Sequence, residues 1–391
     1  MREIRDREFP AAGGEQVYHF LQSTEKQTEN ERKYYRKNLR KKASAIFMAA
    51  ALAAGLAGCG ASNNNNTATT AAGKSAAESK VNGENSPEAD SKKTDVTVIL
   101  DYVANTNHTG MYVALDKGYY EEAGLNVNIV EPTEGATATL VAVGKGDFGI
   151  SYQEDVTVAL ASKDALPIKA IAAIIQHNTS GFVTYADKDI HSPKDFEGKT
   201  YAGWGGPGEE AVLKAVMTQA GADPSKLNRI ISDGSGFEAL KDKVDIEWFF
   251  EGWDNVKCKL NDFPINYMEL RQLDERLDYY TPVIIANNDT LENRPELVKS
   301  FLAATEKGYK YAIENPDESA QILHKYAPDY SMDLLKTSQE YLAGKYMEDT
   351  DRWGEMKDSV WDNYTDFMTE YGVIDHAIPA ADCYTNEFLP E

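Results

Sequence analysis

From Val96 to about residue 293 the chain alternates short apolar runs of strand length with helical patterns, and from Arg294 onward it reads as helix after helix. The runs "VTVIL", "NVNIV", "FGISY", "IKAIAAII", "GFVTY", "KTYAGW", "NRIIS", "VDIEWFF" and "PVIIAN" predict strands. Between them "ATATLVAVGKG", "GEEAVLKAVMTQAG" and "FEALKDK" predict helices. Such alternation argues an α/β chain with mostly parallel sheets. The helical tail, with "RPELVKSFLAATEKGYKYAIENP" and "DESAQILHKYAP", fits a chain that crosses from one domain to another and returns to finish the first. The roughly 300 residues involved suffice for two domains of ordinary size. No internal repeat is visible.

The preceding residues read differently. A basic run, "RKYYRKNLRKK", leads into "ASAIFMAAALAAGLAGC", an apolar stretch closed by small residues and a cysteine. That order is a positive region, an apolar region and a cleavage site. Leu56, Ala57, Gly58 and Cys59 resemble the lipobox of bacterial lipoproteins, which implies a signal region over 1–58, cleavage before Cys59 and lipidation of its sulfur. The stretch is short for a membrane span and broken by glycines. Residues 59–95, rich in Asn, Ser, Ala and Thr, bury too little to offset their ordering entropy and predict a flexible tether. The formal charge is −23, with the positive surplus concentrated before Cys59, so nucleic acid is excluded as a partner. Beyond the anchor only Cys258 and Cys383 remain, enough for one disulfide at most.

Ligands of open α/β sheets sit outside the carboxyl ends of the strands. In "LDYVANTNHTGMYVALDKG", Asp101 and Tyr102 end the first strand, Asn105 to Thr109 form the loop, and a helix from about Gly110 to Asp116 is followed by Gly118, suited to its cap. Plain turn and capping chemistry explains Asn105 and Asn107 equally well. In "YAGWGGPGEEAVLKAV" a strand ending at Trp204 passes through Gly205 and Gly206 into a helix whose first turn holds Glu209 and Glu210. Two acids there complement the helix dipole and repel a phosphate, and the pattern lacks both the P-loop lysine and a dinucleotide fingerprint. In "VDIEWFFEGWDNV" alternation places Phe249 in the core, while Trp253 follows Gly252 at the strand end. "SYQED" closes another strand with Tyr152, Gln153 and Glu154, Asp155 reading as a helix cap.

Taken in order, "LDYVANTNHTGMYVALDKGYYEEAGLNVNIVEP", "GKGDFGISY", "GWGGPGEEAVL", "VDIEWFFEGW" and "LDYYTPVIIAN" resemble the substrate-binding proteins of ABC importers in the thiamine-precursor group, a family that includes fungal thiamine-pyrimidine synthases. Tyr102 stands where that family usually has Trp, and Ala104 where it has Pro. The resemblance implies a two-lobed periplasmic-binding-protein fold, type II-like, with its ligand cleft between the lobes and C-terminal helices. Lobe one is expected over 96–182 plus 281–391 and lobe two over 183–280. It further implies a solute-binding lipoprotein on the outer face of the cell membrane, serving an ABC permease and ATPase and binding a formylaminopyrimidine or hydroxymethylpyrimidine. A flat heteroaromatic ring with an exocyclic amine needs aromatic faces, here Tyr102, Tyr152, Trp204 and Trp253, and polar edges, here Asn105, Glu154 and Glu209, with Gly205 at the strand end. His108 is either a donor to the ligand's amide or a histidine satisfied locally. No metal site is expected, since His108 and Asp101 have no second His or Cys at ligand spacing, and no cofactor is expected. Two other readings belong beside this one: a receptor for riboflavin, also flat, and a pyrimidine synthase, which would need a cysteine-rich return segment where "DYYTPVIIAN" stands.

Overall fold

The computed structural model describes residues 93–132, 136–233 and 236–391. The signal region, Cys59 and nearly all of the tether lie outside the described residues. The strands are β1 Thr94–Ile99, β2 Leu125–Val130, β3 Phe148–Ser151, β4 Ile168–Ala173, β5 Ser180–Tyr185, β6 Thr200–Gly203, β7 Asn228–Ile231, β8 Ile246–Phe250, β9 Ile265–Glu269 and β10 Val283–Asn287. They form two five-stranded sheets, in the orders β2-β1-β3-β10-β4 and β7-β6-β8-β5-β9. Both sheets belong to one compact unit, Pro87–Glu391.

The sheets are mixed, which corrects the expectation of mostly parallel pairing. β1 pairs parallel with β2 and β3, and β6 with β7 and β8, as strand–helix–strand units dictate. β10 is antiparallel to β3 and β4, and β5 to β8 and β9. These are the two strands that follow a crossing from the other sheet, so each sheet has in its fourth place a strand running against its parallel core. Two local expectations also change. "INYME" is β9, an edge strand paired only with β5, and "FEALKDK" forms a single tight turn, Phe237–Leu240.

The helices that position the site are α1 Thr109–Asp116, α2 Gln153–Ala161, α3 Pro207–Gln219, α4 Pro295–Glu314, α5 Pro316–Tyr326, α6 Met332–Ala343 and α7 Asp358–Glu370. Proline begins α3, α4 and α5, where its missing N–H costs nothing. In α4, Val298, Phe301, Leu302, Thr305, Tyr309 and Ala312 recur at helical spacing and are buried, the apolar ones in a core shared with α1 and the first sheet. Phe301 stacks on Phe148 of β3 at 4.1 Å between ring centres. The opposite face of that sheet is covered by the helix Thr137–Ala142 and by Trp361 of α7. Three residues further along α7, Tyr364, Phe367 and Met368 enter the core of the second sheet with Phe182, Tyr201 and Val212. The last long helix thus packs into both cores.

The crossings are pinned by hydrogen bonds. His177 Nδ1 lies 2.7 Å from Asp278 of the return crossing, whose other oxygen accepts the Asn178 N–H at 3.0 Å, and Asn178 donates back to the Leu277 carbonyl at 2.8 Å. His177 Nε2 is 3.3 Å from Asp349, so one imidazole faces two carboxylates. These partners raise its pKa, the Asp278 hydrogen bond most.

α1 and α4 meet through glycines. A Cβ on Gly308 would lie 2.0 Å from the Gly110 carbonyl oxygen, a backbone atom that moves only with its helix. Gly308→Ala is therefore expected to cost about 1–3 kcal/mol of stability by forcing the helices apart, measured as a lowered urea midpoint. An unchanged midpoint would show that the packing relaxes without cost.

Candidate functional site

The loop after β1 is built on itself. Asn105 Oδ1 accepts the Asn107 N–H at 2.9 Å and Nδ2 donates to the Val103 carbonyl at 3.0 Å. The Asn105 N–H donates to His108 Nδ1 at 3.2 Å, and His108 Nε2 is 2.8 Å from Asp101 Oδ1. With Nδ1 accepting, the proton sits on Nε2 and points at the carboxylate. Both ring nitrogens of the buried His108 are thus taken up within the loop. Of the two readings of His108, local satisfaction is what this geometry shows. The loop presents Tyr102, one of the most exposed large side chains in the described residues.

At the carboxyl end of β3, Tyr152 leads into α2 and is also exposed. Gln153 is fixed by the Tyr280 N–H at 2.9 Å and by donating to the Val360 carbonyl at 3.1 Å. Asp155 lies in the first turn of α2 rather than at its cap, accepting the Ser151 hydroxyl at 2.8 Å. Glu154 Oε2 is 3.3 Å from the Tyr364 hydroxyl, and the carboxyl lies against Gly208 of α3, where a Cβ would come within 2.1 Å of its Oε1. Burial, opposed by Tyr364 and joined by Asp155 and Glu209, raises Glu154 to about 7.

In the second sheet, β6 ends in Gly203 and the chain turns through Trp204, Gly205 and Gly206 into α3. Gly205 holds φ +78°, a left-handed backbone that glycine adopts freely. Glu209 reaches back beneath this turn. Its Oε1 accepts the Tyr201 hydroxyl at 2.5 Å and the Trp204 N–H at 3.2 Å, and Oε2 accepts the Gly205 N–H at 2.6 Å. The residue is 3% exposed, and burial raises its pKa against those three donors. Glu209 therefore staples the turn that presents Trp204, whose ring sets edge-on to Trp248 at 5.1 Å. The turn also borders a cavity of about 450 Å³ walled by Tyr201, Gly205, Gly206, Glu209 and Ile231.

Trp253 is set differently. It lies in one wide helical turn, Glu251–Asn255, and meets Tyr330 edge-on at 4.9 Å with the Lys257 ammonium 4.9 Å from its ring centre. The turn is tied to α6 by Tyr341 donating to Glu251 at 2.8 Å and by the Ser338 hydroxyl on the Gly252 carbonyl.

The structure thus brings Glu154 to the first turn of α3 beside Glu209, leaves Tyr102, Tyr152 and Trp204 exposed, and sets Trp253 in a packed contact. Sequence reasoning missed Tyr364 and Gly208, for which there is no local signal, and Trp248, which stood in the aromatic run. Buried and unpartnered in this region are Glu247 Oε1 and Trp248 Nε1 on β8. Among the described residues no cluster of His, Cys, Asp or Glu suits a metal ion, Cys258 and Cys383 are both free thiols, and no helix is long and apolar enough to cross a membrane.

Residues 105–319 match the family described as NMT1/THI5 like. A formylaminopyrimidine-binding protein of Halalkalibacterium halodurans is 26% identical over 314 residues, covering 77% of this chain and 93% of that protein. A 4-amino-5-hydroxymethyl-2-methylpyrimidine phosphate synthase of Legionella pneumophila is also 26% identical, covering 77% and 94%. Among solved structures, the periplasmic aliphatic sulphonate binding protein SsuA of Escherichia coli superposes with a TM-score of 0.60 at 12% identity, covering 76% of this chain and 94% of that one, a likeness of fold. The two-lobed α/β architecture is that of the periplasmic binding proteins, and the chain belongs to the NMT1/THI5-like family.

Proposed function

We propose that this chain is the extracytoplasmic solute-binding component of an ABC importer, tethered to the outer face of the membrane by lipid on Cys59, and that it closes its lobes on a thiamine-pyrimidine precursor of the formylaminopyrimidine or hydroxymethylpyrimidine type. The working division is lobe one over 96–182 plus 281–391 and lobe two over 183–280, α7 serving both cores. The observation that carries the reading is the placing of exposed aromatic rings. Tyr102 and Tyr152 stand at carboxyl ends of strands in the first sheet and Trp204 at one in the second, 66%, 42% and 48% exposed. Rings left in water at strand ends gain stability when a flat ligand covers them. Glu154 and the free N–H and lone pair left on Asn105 supply polar edges.

Binding is favoured over synthesis by two features. The return segment "DYYTPVIIAN" has no cysteine, and His108, which the resemblance sets against the reactive histidine of the synthases, is buried with both nitrogens engaged. Ligand binding then shifts a population of lobe arrangements and makes no bond. The permease and ATPase are the partners this role requires.

Trp204→Ala is expected to weaken a formylaminopyrimidine by about 0.5–1.5 kcal/mol beyond the area lost, read by calorimetry. Tight riboflavin binding by the native protein, with no pyrimidine binding, would reassign the ligand to the flavin. Glu209→Gln separates support from contact. An amide nitrogen cannot accept from Gly205 or Tyr201, so the variant should lose about 1–3 kcal/mol of stability in urea, with altered Trp204 emission. Full stability with a tenfold loss of pyrimidine affinity would instead place Glu209 on the ligand.

A further inference from the structure

We propose that closing the two lobes takes up a proton, carried on Glu154, so that closure is favoured as the pH falls. The inference rests on the lobe closure proposed for this family member's function. Glu154 sits on α2 in lobe one, and its carboxyl meets Gly208 in the first turn of α3 in lobe two. The seat admits a carboxyl only because residue 208 has no side chain: a Cβ there would lie 2.1 Å from Oε1 and 2.6 Å from the carboxyl carbon.

The groups facing this carboxyl are acidic or weakly polar. On its own helix is Asp155, with Tyr152 just before it; from α7 comes the Tyr364 hydroxyl, and from the return crossing Tyr279, whose ring lies 4.3 Å from that of Tyr364. From α3 comes Glu209, and beyond Tyr152 stands Asp101, itself paired with His108. The charged side chains acting on Glu154 are Asp155 and Glu209, both negative. The amino end of α3 attracts an anion, but Glu209 and Glu210 already place two carboxyl groups in that first turn. An ionised Glu154 brought to this place is desolvated next to a second carboxylate; a neutral one keeps the Tyr364 contact with no repulsion.

With its carboxyl seated on Gly208, the arrangement we take as closed, burial raises Glu154 to about 7 from an ordinary 4.5. Away from Gly208 and in water it returns toward the ordinary value. Between those limits the closed form binds the proton and the open form does not, so closure weakens as pH rises through the window, by up to about tenfold per unit. Above about 7 both forms are ionised and the dependence ends; below 4.5 both are protonated.

Small-angle scattering of the unliganded protein between about pH 8 and pH 5 tests this directly. The radius of gyration should fall as the pH drops through the window, and Glu154→Gln, neutral throughout, should stay compact at every pH. A pH-independent native protein, or a Glu154→Gln variant with the native response, overturns the proposal. If that variant does not fold, Gly208→Ala serves: it unseats the carboxyl and should move the response toward lower pH, and an unmoved response overturns the proposal. Calorimetry with a formylaminopyrimidine at about pH 6, in two buffers of different ionisation enthalpy, should show close to one more proton taken up by the native protein than by Glu154→Gln. Equal uptake overturns it. Absence of any binding heat counts against the pyrimidine reading alone, and the scattering result then decides the proton linkage.

Discussion

The chain crosses between its sheets twice, and each crossing leads into a strand that its new sheet needs. β5 and β10 lie between partners to which both run antiparallel, each contributing main-chain hydrogen bonds on both edges. Neither sheet is complete without a strand that has just come from the other. The network of His177, Asp278 and Asn178 ties the two crossings to each other. The strand ends that carry Tyr102 and Tyr152 belong to one sheet and the one that carries Trp204 to the other, and Glu154 after the first sheet's β3 meets Gly208 after the second sheet's β6.

The second consequence is that much of the polar chemistry near these strand ends supports the display of side chains. Asn105 and His108 spend their hydrogen-bonding groups on the loop that presents Tyr102, and Glu209 spends both oxygens on the turn that presents Trp204. A buried carboxylate accepting three donors is costly to disturb, because losing its Oε1 leaves the buried Tyr201 hydroxyl unpaired. Glu154 differs: its contacts are one long bond to Tyr364 and the face of a glycine.

How far the sequence reveals this depends on the range of each interaction. Strands such as "VTVIL" and "GFVTY" were legible because consecutive burial writes itself as a run of branched and aromatic residues. β9, "INYME", was not, because this edge strand buries only Met268 fully and places polar Asn266 and Glu269 among its partly buried residues, which blurs the pattern. "FEALKDK" shows apolar spacing that suits a helix, yet only one turn forms before Val244 must reach β8. Strand direction at β5 and β10 has no signature in composition at all. In the site, aromatic residues beside glycines were visible locally. The Glu209 staple needs Tyr201 of a folded β6, and the contact of Glu154 with Gly208 joins residues that follow strands of different sheets, so neither is written in a local stretch.

Whether the exposed rings hold a pyrimidine precursor is tested most directly by native mass spectrometry of the protein purified without refolding. The expected result is a retained or readily acquired small molecule with the mass of a formylated or hydroxymethylated aminopyrimidine, held by the native chain and lost from Trp204→Ala. A retained flavin, or a protein that acquires no pyrimidine when it is supplied, would contradict it.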